Sequence, residues 1–375
     1  MNKPTFAGSA LLLSFPIYAK AAPNVTWASG SVKYEASGSL PTVAIEYGGA
    51  LAEVHQTVLG ELYDEGGYVT KLSPLNEVLA SPASDGIGYA PSISFDGTDF
   101  GGHGNIIQVY QLSTNQGQIA YQFGTQQASK SSVAWTNSPT LFDTGANPQV
   151  SAYSPYGEGT PWVVEVLNTG SGIWGLNVGT TVGEPWSEIN WVGSGDGSWY
   201  GTGYFPSVAI VPYGTSGQYF AIIVWQDSAG TSEIDYETVV LSISNGFVDV
   251  YPLSGVATVT TSGEFPTVTL CEETTGDGFG GGTSLLTVVA YQGTGQKLYS
   301  EWGTIDQDVG GDYGYVVYNN KPGFSPATQY DTGYHPQLKC VGGSTDGTGT
   351  SSGGVEVHQA ASGGGLYMHG FTVTY

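Results

Sequence analysis

The chain has 375 residues, of which 58 are Gly and 25 are Tyr, and only 11% are charged, a mix that suits short strands and tight turns far better than helices. Its formal charge of −24, with eight Lys and no Arg, leaves no basic surface to neutralise phosphates and argues against nucleic acid and anionic membranes as partners. The missing Arg also removes the planar donor that grips carboxylates, so sialidase-like chemistry, which that family performs with an arginine cluster on a six-bladed propeller, is excluded on inventory.

At the N-terminus, Met1-Asn2-Lys3 leads into an apolar run through Ala10-Leu11-Leu12-Leu13 to Ala19-Lys20-Ala21, the charged, hydrophobic and small-residue parts of a secretory signal. Pro16 interrupts the run, which is too short to span a bilayer. The sequence therefore predicts a signal peptide over 1–21, cleavage after Ala21, and a secreted protein without membrane insertion whose single domain covers 22–375.

After the signal comes Val25-Thr26-Trp27, a short strand pattern. A cadence, Gly-x-x-Pro-x-(Val/Ile/Leu), then recurs six times: Gly38 to Val43, Gly88 to Ile93, Gly145 to Val150, Gly203 to Val208, Gly263 to Val268 and Gly333 to Leu338. The prolines fall at 41, 91, 148, 206, 266 and 336, so successive copies stand 50 to 70 residues apart. In each, the Gly is expected to allow an unusual backbone conformation and the Pro to start a strand. Alternation follows in Val43/Ile45, Ile93/Phe95, Val208/Ile210, Val268/Leu270 and Leu338/Cys340, the period of two of a strand with a buried face.

Each repeat continues with an apolar run ending in a ring and an amide: His55-Gln56, Tyr110-Gln111, Trp225-Gln226, Tyr291-Gln292 and His358-Gln359, with Leu167-Asn168 deviating. A third piece follows, as in Ile119-Ala120-Tyr121, Ile234-Asp235-Tyr236, Leu298-Tyr299-Ser300 and Leu366-Tyr367-Met368. A closing piece is clearest in Val133-Ala134-Trp135 and Ile189-Asn190-Trp191, and less clear in Val248-Asp249-Val250 and Tyr315-Val316-Val317-Tyr318. Four antiparallel strands, six times over, predict an all-β, six-bladed β-propeller, because a radial ring hides edges that isolated sheets expose. The chain stops at Tyr375 after the third piece of the last repeat, so Val25 to Trp27 is expected to supply the missing strand and close the ring.

In that arrangement two sets of residues converge on one face. The turns contribute Tyr89, Asn147, Tyr204, Phe205, Phe265, Tyr334 and His335; the strand ends contribute His55, Gln56, Tyr110, Gln111, Trp225, Gln226, Tyr291, Gln292, His358 and Gln359. Rings beside amides suit sugars, whose C–H faces stack and whose hydroxyls need directional hydrogen bonds without charge. The ligand-binding candidates are therefore His55, Gln56, Tyr110, Gln111, Tyr204, Trp225, Gln226, Tyr291, Gln292, Tyr334, His358 and Gln359, with neutral glycans or glycoconjugates as partners. The competing reading makes each Gln a satisfier of backbone groups between blades and each ring a packing element.

Tyr330-Asp331-Thr332-Gly333 with Pro336, Phe142-Asp143-Thr144-Gly145 with Pro148, and Val355-Glu356-Val357-His358-Gln359 resemble the repeats of secreted, largely bacterial tandem-repeat propellers, in which Tyr-Asp-x-Gly-x-x-Pro-x-Val precedes Val-Glu-Val-His-Gln. The resemblance covers nearly all of 24–375 and implies a lectin-like binding module. Fungal six-bladed fucose lectins are not matched residue by residue, since those use an Arg in the sugar site.

Two other functions compete with the lectin reading. A glycoside hydrolase or lyase would need an asymmetric acid pair. Of the acids near the face, Glu53, Glu165, Asp227, Glu264 and Glu356, three share one repeat position. A structural or adhesive propeller would need no small ligand. No cofactor is expected, beyond weak calcium binding in Gly- and Asp-rich loops at Asp96, Asp99, Asp277 and Asp346; these loops run over 96–104, 153–160, 272–283 and 341–354. A metal between His55 and His358 is a minor alternative to satisfied histidines. Cys271 and Cys340 are either bonded across neighbouring strands or buried as thiols.

Overall fold

Every Gly-x-x-Pro is a β-bulge. In the computed structural model each repeat begins with a strand whose pairing to the next slips by one residue at this point, between Ser39 and Thr42, Tyr89 and Ser92, Ala146 and Gln149, Tyr204 and Ser207, Glu264 and Thr267, and Tyr334 and Gln337. The residue before each proline is left-handed: Leu40, Ala90, Asn147, Phe205, Phe265 and His335 all have φ between 47° and 51°. Proline disfavours the right-handed helical region for its predecessor, and the bulge takes that residue out of the strand region. Five of the six are residue types that enter this conformation at a cost of about 1 kcal/mol each.

The glycine has a different task from the one its sequence predicts. Of the six, only Gly203 has a positive φ, at 141°. What all six share is a neighbour: a Cβ would meet His55, Tyr110, Leu167, Trp225, Tyr291 or His358 at 2.3–2.9 Å. The residue ahead of the amide is laid flat over the glycine of its own repeat, and only a bare Cα leaves room.

The structure describes residues 23–374 except 36, 47–48, 80, 97–102, 113–116, 128–132, 137, 154–160, 171, 184, 193–200, 214–216, 229–232, 245, 273–284, 306, 311–314, 319–321 and 342–351. The proposed signal peptide, Asp99, Asp277 and Asp346, and most of the four Gly-rich loops lie outside the described residues. Unit 1 is Ser39–Ile45, Ala50–Gln56 and Glu61–Leu72, with two short outer segments, Leu75–Leu79 and Ala83–Ile87, both paired to the third strand. Units 2, 3 and 4 repeat the pattern from Tyr89–Phe95, Ala146–Tyr153 and Tyr204–Pro212. In unit 6, the second half of Thr328–Val341, Ser352–Ala360 and Leu366–Thr374 carry as outer segments Asn24–Trp27 and Val32–Glu35, from the other end of the chain.

Unit 5 departs from the expectation. Tyr315–Tyr318 is a strand, but it pairs with Gln307–Gly310 in a separate hairpin. The outer edge of Lys297–Ile305 is already occupied: Ser325 N–H donates to the Trp302 carbonyl at 2.7 Å, Trp302 N–H donates to Ser325 Oγ at 3.1 Å, and Gly303 lies under Pro322 and Gly323.

Alternation along the inner strands sends neighbouring residues to different cores. Val43 and Ile45 pack with Val355, Val357 and Met368 of unit 6, while Ala44 packs with Ile93 and Phe95 of unit 2. Six such clusters of described residues lie between the units, one of them between units 6 and 1. The inner strands are also stitched by short hydroxyl side chains. Thr42 accepts from Ile93 N–H, Ser92 from Val150, Ser151 from Ile210, Ser207 from Val268 and Thr269 from Cys340, at 2.9–3.3 Å. Each acceptor lies in the unit before its donor, so the hydroxyls fix the spacing of the inner strands about the axis. Cys271 and Cys340 are disulfide-bonded between the inner strands of units 5 and 6, with Cα atoms 5.3 Å apart.

Candidate ligand-binding site

The six bulges meet around one small cup. Its rim is the left-handed layer, one residue per unit: Leu40, Ala90, Asn147, Phe205, Phe265 and His335, with Pro41, Pro91, Pro206 and Pro266 beside them. One step inward stand Gln149 and Gln337, and the cavity they bound measures about 70 Å³. The bulge puts these side chains there: it turns the residue before proline out of the strand, toward the axis.

The rim is not uniform. Phe205, Phe265 and His335 form an aromatic arc, with ring centroids 4.5 Å apart for the first pair and 4.2 Å for the second. Burial pushes the His335 imidazole down to about 4, so at neutral pH it is uncharged. Among the described residues that line the cup there is no carboxylate, ammonium or charged imidazole, on a chain of formal charge −24.

The second layer is where repeat symmetry breaks. The residue after each proline is Thr42, Ser92, Gln149, Ser207, Thr267 or Gln337. Only the two glutamines are long enough to line the cavity, and they belong to units 3 and 6. Beneath Gln337, two residues and therefore about 7 Å further along the same strand face, stands Lys339. Its Nζ donates to the Val150 carbonyl of unit 3 at 3.2 Å, and Lys339 is not among the residues that line the cavity. Burial lowers its ammonium to about 8.

The residues singled out in the sequence occupy an outer ring. The first x of each turn lies opposite an amide: Ser39 faces Gln56, Tyr89 Gln111, Ala146 Asn168, Tyr204 Gln226, Glu264 Gln292 and Tyr334 Gln359. Asn168, deviant by sequence, therefore holds the same place as the glutamines. His55, Tyr110, Gln111, Trp225, Gln226, Tyr291, Gln292 and His358 are buried, while Gln56, Tyr204, Tyr334 and Gln359 are half-buried. Two amides reach into the following unit: Gln56 Oε1 accepts from Ala90 N–H at 3.3 Å and Asn168 Oδ1 from Phe205 N–H at 3.1 Å, each supporting a left-handed residue of the rim. Tyr89 covers Gly60 and Tyr204 covers Gly172, on the turns of the preceding unit. His55, Tyr291 and His358 stack on their cross-strand partners Tyr63, Tyr299 and Tyr367 at 5.8–6.1 Å.

The candidate acids fall elsewhere. Glu53, Glu165 and Glu356 are fully buried within their sheets. Glu53 and Glu356 each lie 3.0 Å from Nδ1 of the histidine two residues on, and Glu165 accepts from Asn177 at 2.8 Å. Each of those histidines thus has Nδ1 engaged by its own glutamate, and the described residues contain no group of three metal-ligating side chains. Asp96 is buried and accepts from Asn105 at 2.9 Å. Asp227 and Glu264 are half-buried and do not line the cup. The sequence-derived ligand set contains none of the lining residues: Asn147, Phe205, Phe265 and His335 are on the expected face but outside the set, and Leu40, Ala90, Gln149 and Gln337 are in neither; aligning the six copies on proline exposes the two glutamines as exceptions.

The antiparallel four-stranded sheets form a propeller-like all-β fold similar to that of Aleuria aurantia lectin. A variant of that lectin in complex with Fucα1-6GlcNAc matches with a TM-score of 0.53 and 10% identity, over 92% of this chain and 97% of the other. The fucose-specific lectin from Aleuria aurantia matches at 0.51 and 12%, over 91% and 96%. At such identities the likeness is one of fold. No protein-family model and no curated protein matches the chain.

Proposed function

We propose that the chain is a six-bladed β-propeller closed by its N-terminal strands, and a secreted, lectin-like protein that binds neutral glycans at its axial cup. The closure is supported by the pairing of Asn24–Trp27 with the last strand and by the packing of units 6 and 1 around a common core. The observation that carries the function is the lining of the cup, an aromatic arc facing amides, with no charged group among the described residues that line it. Such a surface offers a sugar stacking and directional hydrogen bonds, and it offers a charged ligand no counter-ion. It also presents no pair of carboxylates at the separation that glycoside hydrolysis uses. The fold likeness to Aleuria aurantia lectin agrees with this reading.

A glycan-array screen of the mature chain beside Phe265→Ala tests it. Binding to neutral glycans, weakened at least about tenfold by the substitution, is expected from loss of one central aromatic contact. An array with no neutral glycan bound overturns the reading. Trp225→Ala is unsuited to the purpose, because that ring covers Gly203 and packs on Trp174 at 5.2 Å, so its loss tests the fold.

A further inference from the structure

The cup has two kinds of wall, set at right angles. In the six-unit ring proposed above, units 3 and 6 lie opposite each other, and they carry the amides Asn147 and Gln149 on one side and Gln337 on the other. Between them, units 1 and 2 supply Leu40 and Ala90, while units 4 and 5 supply Phe205 and Phe265. Gln149 Oε1 accepts from Ser92 Oγ at 3.4 Å, and its Nε2 has no partner among the described residues. The amides of Asn147 and Gln337 make no hydrogen bond with the described residues. The void is therefore a slot with polar ends and apolar sides.

Resting on the carbohydrate reading above, we infer that this slot takes the acetamido group of an N-acetylated sugar, one per chain. A secondary amide is planar, with a carbonyl acceptor on one edge, an N–H donor on the opposite edge, and a methyl. Its edges match the amides of units 3 and 6, each of which can donate and accept, and its faces and methyl match the apolar walls. A pyranose ring inserted whole would press hydroxyls against Leu40 and Phe205, and a buried hydroxyl left without a hydrogen-bond partner is unfavourable. The two glutamines at positions where the other units carry Ser or Thr make the slot two-ended.

Titration calorimetry of the mature chain tests this with the methyl glycosides of N-acetylglucosamine and N-acetylgalactosamine against those of glucose, galactose and glucuronic acid, and against N-methylacetamide. The informative variants are Asn147→Ala and Gln337→Thr. Ala90 already occupies the left-handed site with an alanine, and Thr42 and Thr267 already follow their prolines, so both substitutions copy what other units tolerate. Expected are one site per chain, at least tenfold tighter binding of the N-acetylated glycosides than of their parents, and a tenfold loss in either variant. Parent hexoses that bind as tightly, with Phe265→Ala still weakening them, overturn the acetamido inference and leave the lectin reading standing. Binding of no sugar at all overturns both. N-methylacetamide binding as well as the glycosides points to a peptide amide, and a preference for the uronic acid points to Lys339; either overturns the inference.

Discussion

Lys339 Nζ donates to the Val150 carbonyl 3.2 Å away, joining the inner strands of units 6 and 3 through a cation that has no carboxylate partner among the described residues. Burial lowers that ammonium to about 8, below its ordinary value. A lysine whose folded pKa is depressed contributes stability that is complete above about pH 10.4 and is lost as pH falls through about 8. At pH 7 the side chain is charged at a cost, and Lys339→Met removes the cost while keeping an unbranched side chain only one heavy atom shorter. The variant should be more stable than the parent by about 1–2 kcal/mol at pH 7, with the gain shrinking toward pH 10. Thermal melts at the two pH values decide it: a variant less stable at pH 7, or a gain independent of pH, would show that the hydrogen bond outweighs the desolvation.

Glycine and its left-handed neighbour should respond oppositely to substitution. Gly333→Ala would place a Cβ 2.5 Å from the His358 ring, on a side chain pinned between Tyr367 and Glu356. A loss of about 2–3 kcal/mol is expected, the scale of overpacking in a close-packed interior. Ala90→Gly removes left-handed strain at the equivalent turn of unit 2, so stability should be unchanged or up to about 1 kcal/mol higher, the unfolded chain's added freedom offsetting part of the gain. Urea midpoints for the two variants check the pair, and the reverse order would return the special conformation to the glycine.

How much of this is readable in the residues depends on which interactions are local. The six turns and the four-piece repeat are legible because Gly, Pro and a period of two act within a few residues. The role inside the cadence is not, because a glycine needed for a ring lying over it and a glycine needed for its own φ look alike in sequence. Gln56 and Asn168 show the same limit from another side: an amide beside a ring suits a sugar or a backbone N–H equally, and only the register with the following unit shows Ala90 and Phe205 as donors. Gln149 and Gln337 stand out once the copies are aligned, yet their sharing of one cavity depends on how distant units pack. The separate hairpin of Tyr315–Tyr318 depends on Ser325 taking the neighbouring edge, a competition between segments that neither announces.

Three carboxyls set the pH response, Glu65 and Glu165 buried and Asp85 half-buried. Burial raises Glu65 and Glu165 to about 8 and Asp85 to about 7, with the charge of Glu53 adding to the shift at Glu65. A group whose folded pKa is raised contributes stability that is complete below its unfolded value, near 4, and is lost as pH rises through the folded value. These three therefore favour the folded chain at pH 5 over pH 8. His335 opposes them only on the acid side, since its depressed pKa makes it lose stability as pH falls from about 6.5 through about 4. The melting temperature should rise from pH 8 to about pH 5.5, and Glu165→Gln, which keeps the hydrogen bond to Asn177 by a rotated amide, should flatten part of that rise. A profile that climbs from pH 5.5 to 8 would contradict the assignment.

The Cys271–Cys340 bond should contribute more than its one covalent link implies about local packing. It joins inner strands separated by 69 residues, and a loop of that length loses about 4 kcal/mol of closure entropy in the unfolded chain when it is cross-linked. The strands it joins are held in addition by Cys340 N–H donating to Thr269 Oγ1 at 2.9 Å and by the apolar cluster of Leu286, Val288, Leu338 and Phe371. Those contacts survive reduction, so the reduced chain should keep its fold at 25 °C while its denaturant midpoint drops. Replacing both cysteines by serine adds the cost of polar groups at a buried position and should lower the midpoint further than reduction does. Guanidinium unfolding of the oxidised, reduced and double-serine proteins gives the order directly, and equal midpoints for the oxidised and reduced chains would mean that the unfolded state already holds the two strands together.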